Sequence, residues 1–312
     1  MVYQRVNFQI DDTALSRIWS AQGLGSIRTT EWAGKGVNNP AFVINDGYVL
    51  RFDGLIIEGV SRFHGEQRAY HLLQAVGIPC PEVVAIDDSK TLVPYDYMIM
   101  NKVEGTPVAD SWTELTAVQQ EQVANEAGHL LALMHTVTLP QFGRLHGTER
   151  LFNTWYAYIR DSFQGLGQES RADSLISQAL YDRMQVLLVA HRRTLESIEA
   201  PQLVHWDYHF GNLLQQDGKI TAVLDLEWAI GGDAAHDFNR RSEWEVQCPG
   251  SLKWVYEGYT ALLPLQRSHE TRVALYEMLW FLYCVMDAPN GLEANMMLMK
   301  LVDRMDWLEE NR

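Results

Sequence analysis

The residues best placed to do chemistry lie in one stretch, 203–237, which reads LVHWDYHFGNLLQQDGKITAVLDLEWAIGGDAAHD. Asp207, Asn212 and Asp225 offer two carboxylates and an amide, the hard oxygen ligands that suit Mg²⁺. Two short apolar runs, 212–214 and 220–224, flank a turn over 216–219 with Asp217-Gly218 at its centre. That pattern predicts a β-hairpin. Its antiparallel pairing is expected to set Asn212 and Asp225 face to face, with Asp207 in the preceding loop.

The elements that position this stretch can be read outward from it. Upstream, the glycine-bearing loop 31–39 (EWAGKGVNN) precedes a second hairpin, in which 41–44 and 48–52 flank the turn Asn45-Asp46-Gly47. Gly34 and Gly36 allow close backbone approach, as in loops that cover phosphates, although glycine pairs in loops also serve as plain turns. A short amphipathic helix is expected over 11–22. A longer one is expected over 61–76, with Ser61 as its cap, Gly77 after it and Pro79 as a stop. On that helix Glu66 falls on the face of Ala69, Leu72, Leu73 and Val76. It is either a solvated residue at the edge of the stripe or a buried carboxylate in need of a partner, for which Arg51 is the candidate. Strands at 81–86 and 97–103 complete a β-rich region, and Glu104-Gly105-Thr106-Pro107 breaks it. Beyond the break, helical spacing dominates. A long segment opens on a Thr116/Gln119 capping box and ends near a structural His135; further helices are expected over 151–164, 173–199, 250–262, 269–288 and 291–310. The shift predicts two lobes, residues 1–103 and 104–312.

Composition limits the functions available. A formal charge of −15 argues against non-specific nucleic-acid binding, which needs positive potential. No membrane span is expected, because the most apolar run, 275–286, is too short and contains Glu277. No signal peptide is expected over residues 1–10, where polar and apolar residues alternate. Cys80, Cys248 and Cys284 are widely spaced and form no metal pattern, as expected of reduced thiols in a cytoplasmic protein.

From His205 to Asn212 the chain resembles the HxDxxxxN catalytic motif of the aminoglycoside phosphotransferase and choline kinase-like family of small-molecule kinases. Leu224-Asp225-Leu226-Glu227 is similar to that family's metal-binding segment, and 232–237 to its GDPxxDL element. Tyr48 to Arg51, Gly65-Glu66-Gln67 and Met100 to Gly105 resemble its phosphate-binding strand, partner helix and hinge. The resemblance implies an α+β, bilobal, protein-kinase-like fold, with a small β-rich nucleotide lobe and a larger helical lobe. It also implies transfer of the γ-phosphate of ATP, with Mg²⁺, to an alcohol of a small molecule. Asp207 would receive or orient the hydroxyl proton, and Asn212 and Asp225 would hold Mg²⁺. Arg51 would contact the phosphates and pair with Glu66, and Gly34 and Gly36 would lie over the triphosphate. The backbone of Asn101 and Val103 would meet adenine. His205 and Asp237 would brace the catalytic loop, and Glu227 would bind a second metal or serve structurally. The chain departs from the family in carrying Arg51 where lysine is common, Trp206 where glycine is more usual, and Phe210 where proline is frequent.

Two other readings use the same residues. His205, Asp207 and His209, with His236 as a further imidazole, would make a metallohydrolase site. A catalytically inert nucleotide-binding protein would keep the fold without the chemistry. The acceptor is not encoded in any motif. The acidic balance, with Glu243 and Glu245 after the metal segment, favours an aminoglycoside or other amine-bearing alcohol, while the aromatics over 244–283 equally allow a cation–π or apolar pocket.

Overall fold

The computed structural model describes residues 4–5, 7–33, 39–56, 61–146 and 150–311. Five antiparallel strands form the N-terminal sheet in the order Thr30–Trp32, Ala41–Ile44, Tyr48–Phe52, Tyr97–Asn101, Val83–Asp87. Side chains alternate across a strand, and here the alternation assigns each face a helix. Leu50, Phe52 and Ile99 pack on Leu15, Ile18 and Trp19 of the Asp12–Ala21 helix. Val49, Met98 and Met100 pack on Phe63 of the Arg62–Ala75 helix. Arg51 has the parity of Val49, so it points toward that second helix. The edge strand Thr30–Trp32 has no counterpart among the sequence expectations. All three of its residues are exposed, and an edge with no buried face shows no apolar alternation.

The predicted caps form: Ser61 accepts the Phe63 amide at 3.4 Å, and Thr116 and Gln119 close a reciprocal capping box. The first helix has a cap that is not among the sequence expectations, Asp11, which accepts the Ala14 amide at 2.7 Å. The helix expected over 173–199 divides into Gln178–Ala190 and Arg192–Glu196 at His191.

The Arg62–Ala75 helix does not belong to the small lobe alone. Its Ala69, Tyr70 and Leu73, with Ile78, join the main core of the helical lobe. A Cβ on Gly65 would lie 2.6 Å from the His146 backbone nitrogen, so only glycine permits this approach. The Val223 amide donates to the Pro79 carbonyl at 2.9 Å, fastening the end of the helix segment to the catalytic hairpin. Between the lobes, the strand expected over 97–103 stops at Asn101, and Thr106–Pro107 already pairs with Leu214 and Gln215. Gly105 makes that crossing at φ +137°, with the Thr221 hydroxyl 2.6 Å from where a Cβ would stand. Among the described residues no helix is long and apolar enough to cross a membrane.

Candidate active site

The catalytic-loop residues are hung from Asp237, which is 1% exposed. Its Oδ1 accepts the Trp206 amide at 2.7 Å. Its Oδ2 accepts the His205 amide at 2.9 Å and a ring hydrogen bond from His135 Nε2 at 3.0 Å. Burial alone would raise this carboxyl, but His135, with His205 and His236 nearby, holds it below the usual carboxylate range. His205 Nε2 donates to the Leu224 carbonyl at 2.9 Å while its Nδ1 accepts the Asp207 amide at 3.3 Å. That tautomer ties the loop to the end of the hairpin. Burial keeps the imidazole neutral by lowering its pKa. Asp207 then faces the cleft, with Asn212 Nδ2 at 2.9 Å from its carbonyl and 3.4 Å from its Oδ2.

The hairpin forms out of the expected register. Leu213 pairs with Val223, a bulge separates Leu214 from Gln215, and Asn212 lies opposite Leu224, whose amide it accepts at 2.9 Å. Asp225 is therefore one residue beyond Asn212's partner. A left-handed backbone at φ +63° turns its half-exposed side chain into the cleft.

Across the cleft lies a nest of buried charges built on helical spacing. Arg62, Glu66 and Tyr70 fall at i, i+4 and i+8 on one face of their helix. Arg51 Nη1 bonds Glu66 at 2.7 Å, and its Nη2 lies 3.1 Å from Asp225 and 3.4 Å from Glu227. Glu66 is thus the buried carboxylate with a partner rather than a solvated edge residue. The Tyr70 hydroxyl donates to Glu66 at 2.8 Å and accepts the Asp225 amide at 3.1 Å. Arg62, fully buried, grips Asp53 with two nitrogens at 2.5 and 3.2 Å and reaches Glu227 at 2.9 Å. The Asn39 amide donates to Glu227 and its carbonyl accepts from Arg62 at 3.1 Å. Four carboxylates thus surround two guanidiniums. Burial and neighbouring Asp225 push the Glu227 carboxyl up to about 7 against the pull of Arg62 and Arg51.

These residues line one cleft of about 1030 Å³. Arg51, Asn101, Val103, Asp207, Asn212, Asp225 and Glu227 all face it; Glu66 stands behind Arg51, and His205 and Asp237 behind the loop. Gly34 and Gly36 lie outside the described residues. The Asn101 amide donates to the Glu82 carbonyl at 2.9 Å, so that N–H is not open to a ligand. Glu66, Asp225 and Glu227 each offer an oxygen within 4.8 Å of the others. Hard oxygens with negative charge in excess fit a divalent cation of the Mg²⁺ type.

Several residues of the site carry no sequence signal of their own. Arg62 and Tyr70 are detectable from their spacing about Glu66. Asn39 and Asp53 are brought in only by the fold. A planar stack runs along the cleft wall: the Arg62 guanidinium lies 4.9 Å from Trp228, Arg144 lies between Trp228 and Trp206 at 5.1 and 4.2 Å, and Trp206 stacks on His236 at 3.9 Å. The buried Asn239 Oδ1 has no hydrogen-bond partner among the described residues and lies on the cleft. Glu243 and Glu245, the sequence's candidates for amine recognition, are not on its lining. Glu243 pairs with Arg240 at 2.6 Å, and Glu245 accepts the amides of Gly250 and Leu252 at 3.0 and 2.8 Å. The metallohydrolase reading loses His205, whose two ring nitrogens are spent on Leu224 and Asp207, and the Nδ1 of His209, which accepts the Gly211 amide at 3.0 Å.

A sheet lobe and a helical lobe about a cleft of this composition define a kinase-like phosphotransferase fold. The phosphotransferase enzyme family (APH) matches residues 31–246, and the chain belongs to that family. Hygromycin-B 4-O-kinase of Escherichia coli is 27% identical over 198 residues, which are 61% of this chain and 54% of that protein. The chain thus spans about half the length of this curated relative. Among solved structures, a thermostable variant of aminoglycoside phosphotransferase APH(4)-Ia in complex with AMP-PNP and hygromycin B superposes with a TM-score of 0.70 at 17% identity, covering 94% of this chain and 98% of that one. Aminoglycoside 2'-phosphotransferase-IIIa with GDP gives 0.66 at 16% identity, covering 96% and 99%. Both likenesses establish the bilobal α+β fold.

Proposed function

We propose that the protein is an ATP- and Mg²⁺-dependent phosphotransferase acting on a hydroxyl of a small molecule, with residues 1–103 as the nucleotide lobe and 104–312 as the catalytic and acceptor lobe. The observation that carries this reading is the convergence of Asp207, Asn212, Asp225 and the Arg51–Glu66 pair on one cleft. Asp207 orients the acceptor hydroxyl and takes its proton. Arg51 meets the phosphates, its geometry fixed by Glu66 and Tyr70 behind it. Asn212 and Asp225 would hold Mg²⁺, with Glu227 in reach; the ion supplies neutralisation of phosphate charge, the main demand of a loose phosphoryl-transfer transition state. The carbonyl of Asn101 and the backbone of Val103 meet adenine. His205 and Asp237 hold the loop.

The acceptor end has a mixed lining. Asp161, Glu169 and Asp287 stand with Arg144, Arg150 and Arg240 around Trp206, Trp280 and Tyr283. An aminoglycoside or other amine-bearing alcohol, including the hygromycin B named for the Escherichia coli relative, matches both the carboxylates and the flat aromatic surfaces. All three cysteines are free thiols, in keeping with a cytoplasmic enzyme. In a coupled ADP-release assay over hygromycin B, other aminoglycosides and simple alcohols, Asp207→Ala is expected to lower transfer by about 10²–10⁴-fold. Calorimetry should find ATP binding retained. Unchanged turnover would sink the assignment.

A further inference from the structure

Asp207 is gripped by a residue that the catalytic-loop motif does not contain. Nη1 of Arg240 contacts Asp207 Oδ1. Arg240 is only 11% exposed at its side chain, and its place is fixed on two other sides. Glu243 accepts from its Nε at 2.7 Å and its Nη2 at 2.6 Å, and the guanidinium lies 4.3 Å from the Trp280 ring centroid. The circuit then returns to the loop. Gln247 donates to Glu243 at 3.2 Å and to His209 Nδ1 at 3.3 Å, and its own carbonyl accepts the Phe210 amide at 3.1 Å. An arginine held at three points has little rotamer freedom left to lose when it orients a partner.

We propose, building on the kinase reading, that Arg240 is the positioning residue for Asp207. It occupies Oδ1 and so presents Oδ2 to the acceptor. Oδ2 lies 3.4 Å from Asn212 Nδ2 and 3.8 Å from His209 Nε2, so it stays beside the residue assigned to the phosphate-bound ion. In the transfer, the acceptor hydroxyl gives its proton to Asp207 Oδ2 as its oxygen bonds to the γ-phosphorus. The bond from that phosphorus to the bridging oxygen breaks, and ADP leaves with the electron pair. A carboxylate without Arg240 would rotate between orientations, and displacement of a reacting group by about 1 Å costs on the order of 10²-fold in rate.

The test compares Arg240→Gln, Arg240→Lys and Arg240→Ala with wild type. Steady-state kinetics would use ATP–Mg²⁺ and the acceptor that wild type turns over fastest in the panel, water included. Arg240→Gln is expected to lose about 10²-fold in kcat, with both KM values and the thermal midpoint near those of wild type. Arg240→Lys should fall between the two, because it keeps the charge and loses the fork. Guanidinium ion added to Arg240→Ala should restore part of the lost kcat. A kcat for Arg240→Gln within about twofold of wild type, well inside the loss expected for a misplaced base, overturns the proposal. So does a loss confined to the acceptor KM, which would make Arg240 a binding residue, or a loss that tracks the thermal midpoint and resists both lysine and guanidinium. Wild-type protein that turns over ATP with no acceptor, water included, overturns the kinase reading and this inference with it.

Discussion

Two buried acidic centres only ten residues apart in sequence meet the cost of burial in opposite ways. Around Asp237, both carboxylate oxygens are used by the Trp206 and His205 amides and the His135 ring, and the carboxyl titrates low. Around Glu227, two guanidiniums serve four acids, and the carboxyl rises to about 7. The first centre is satisfied by fixed hydrogen-bond donors and needs nothing more. The second keeps unneutralised negative charge in a low-dielectric place, the condition of a site built to receive a cation. The contrast separates the frame that holds the catalytic loop from the part that meets a ligand.

The strongest way to break this contrast is to remove the frame. Asp237→Ala leaves two backbone amides and a histidine ring buried without an acceptor. The expected loss is about 3–5 kcal/mol of stability, measured by urea unfolding. A loss below about 1 kcal/mol, the worth of one ordinary hydrogen bond, would make Asp237 no more a frame than a surface carboxylate.

The second centre is tested by pH. Glu227 has its folded pKa raised from 4.5 to about 7, so the folded state keeps a proton that the unfolded chain releases. Its contribution to stability is complete below pH 4.5, declines as pH rises through the window from 4.5 to 7, and is gone above it. Relative to Glu227→Gln, wild type should lose about 3 kcal/mol across that window. Unfolding curves collected from pH 4 to 8 would show it. Parallel pH profiles for the two proteins would place Glu227 in the same satisfied class as Asp237.

The two centres also differ in how far the sequence discloses them. Asp207, Asn212, Asp225 and Asp237 lie in one short stretch, where residue type and spacing carry the chemistry directly. The Arg51–Glu66 pair is accessible because strand parity and helix period are local. Arg62 is equally local, four residues from Glu66, but an arginine on an apolar face is read first as a surface residue. Asn39, Asp53 and Glu227 meet only because the sheet folds over the helix, and no periodicity records that. Arg240 carries its signal in its position three residues after Asp237, on the same short helical turn. The two-residue turn pairs Gln215 with Ile220, which alone would set Asn212 opposite Val223; the Leu214/Gln215 bulge moves that partner to Leu224, one residue short of Asp225, and no apolar pattern records such a bulge. Chain order places the Arg62–Ala75 helix in the small lobe, although Ala69, Tyr70 and Leu73 pack with the large one.

The smallest effect concerns Trp206, which joins the frame to the cleft. Its backbone sits at φ +76°, a region costly for residues with a Cβ, and this accounts for glycine being more usual there. The strain is offset by the stack on His236 and Arg144, worth about 0.5–2 kcal/mol in each pair. Trp206→Ala gives up the stack and keeps the strain, whereas Trp206→Gly gives up the stack and releases the strain. Glycine should therefore be the milder substitution, by about 1 kcal/mol, reversing the usual order of alanine and glycine. If alanine proves the milder in urea unfolding, the left-handed backbone is not what the stack sustains. The hold of Asp237 on the Trp206 amide would then be enough to set the loop by itself.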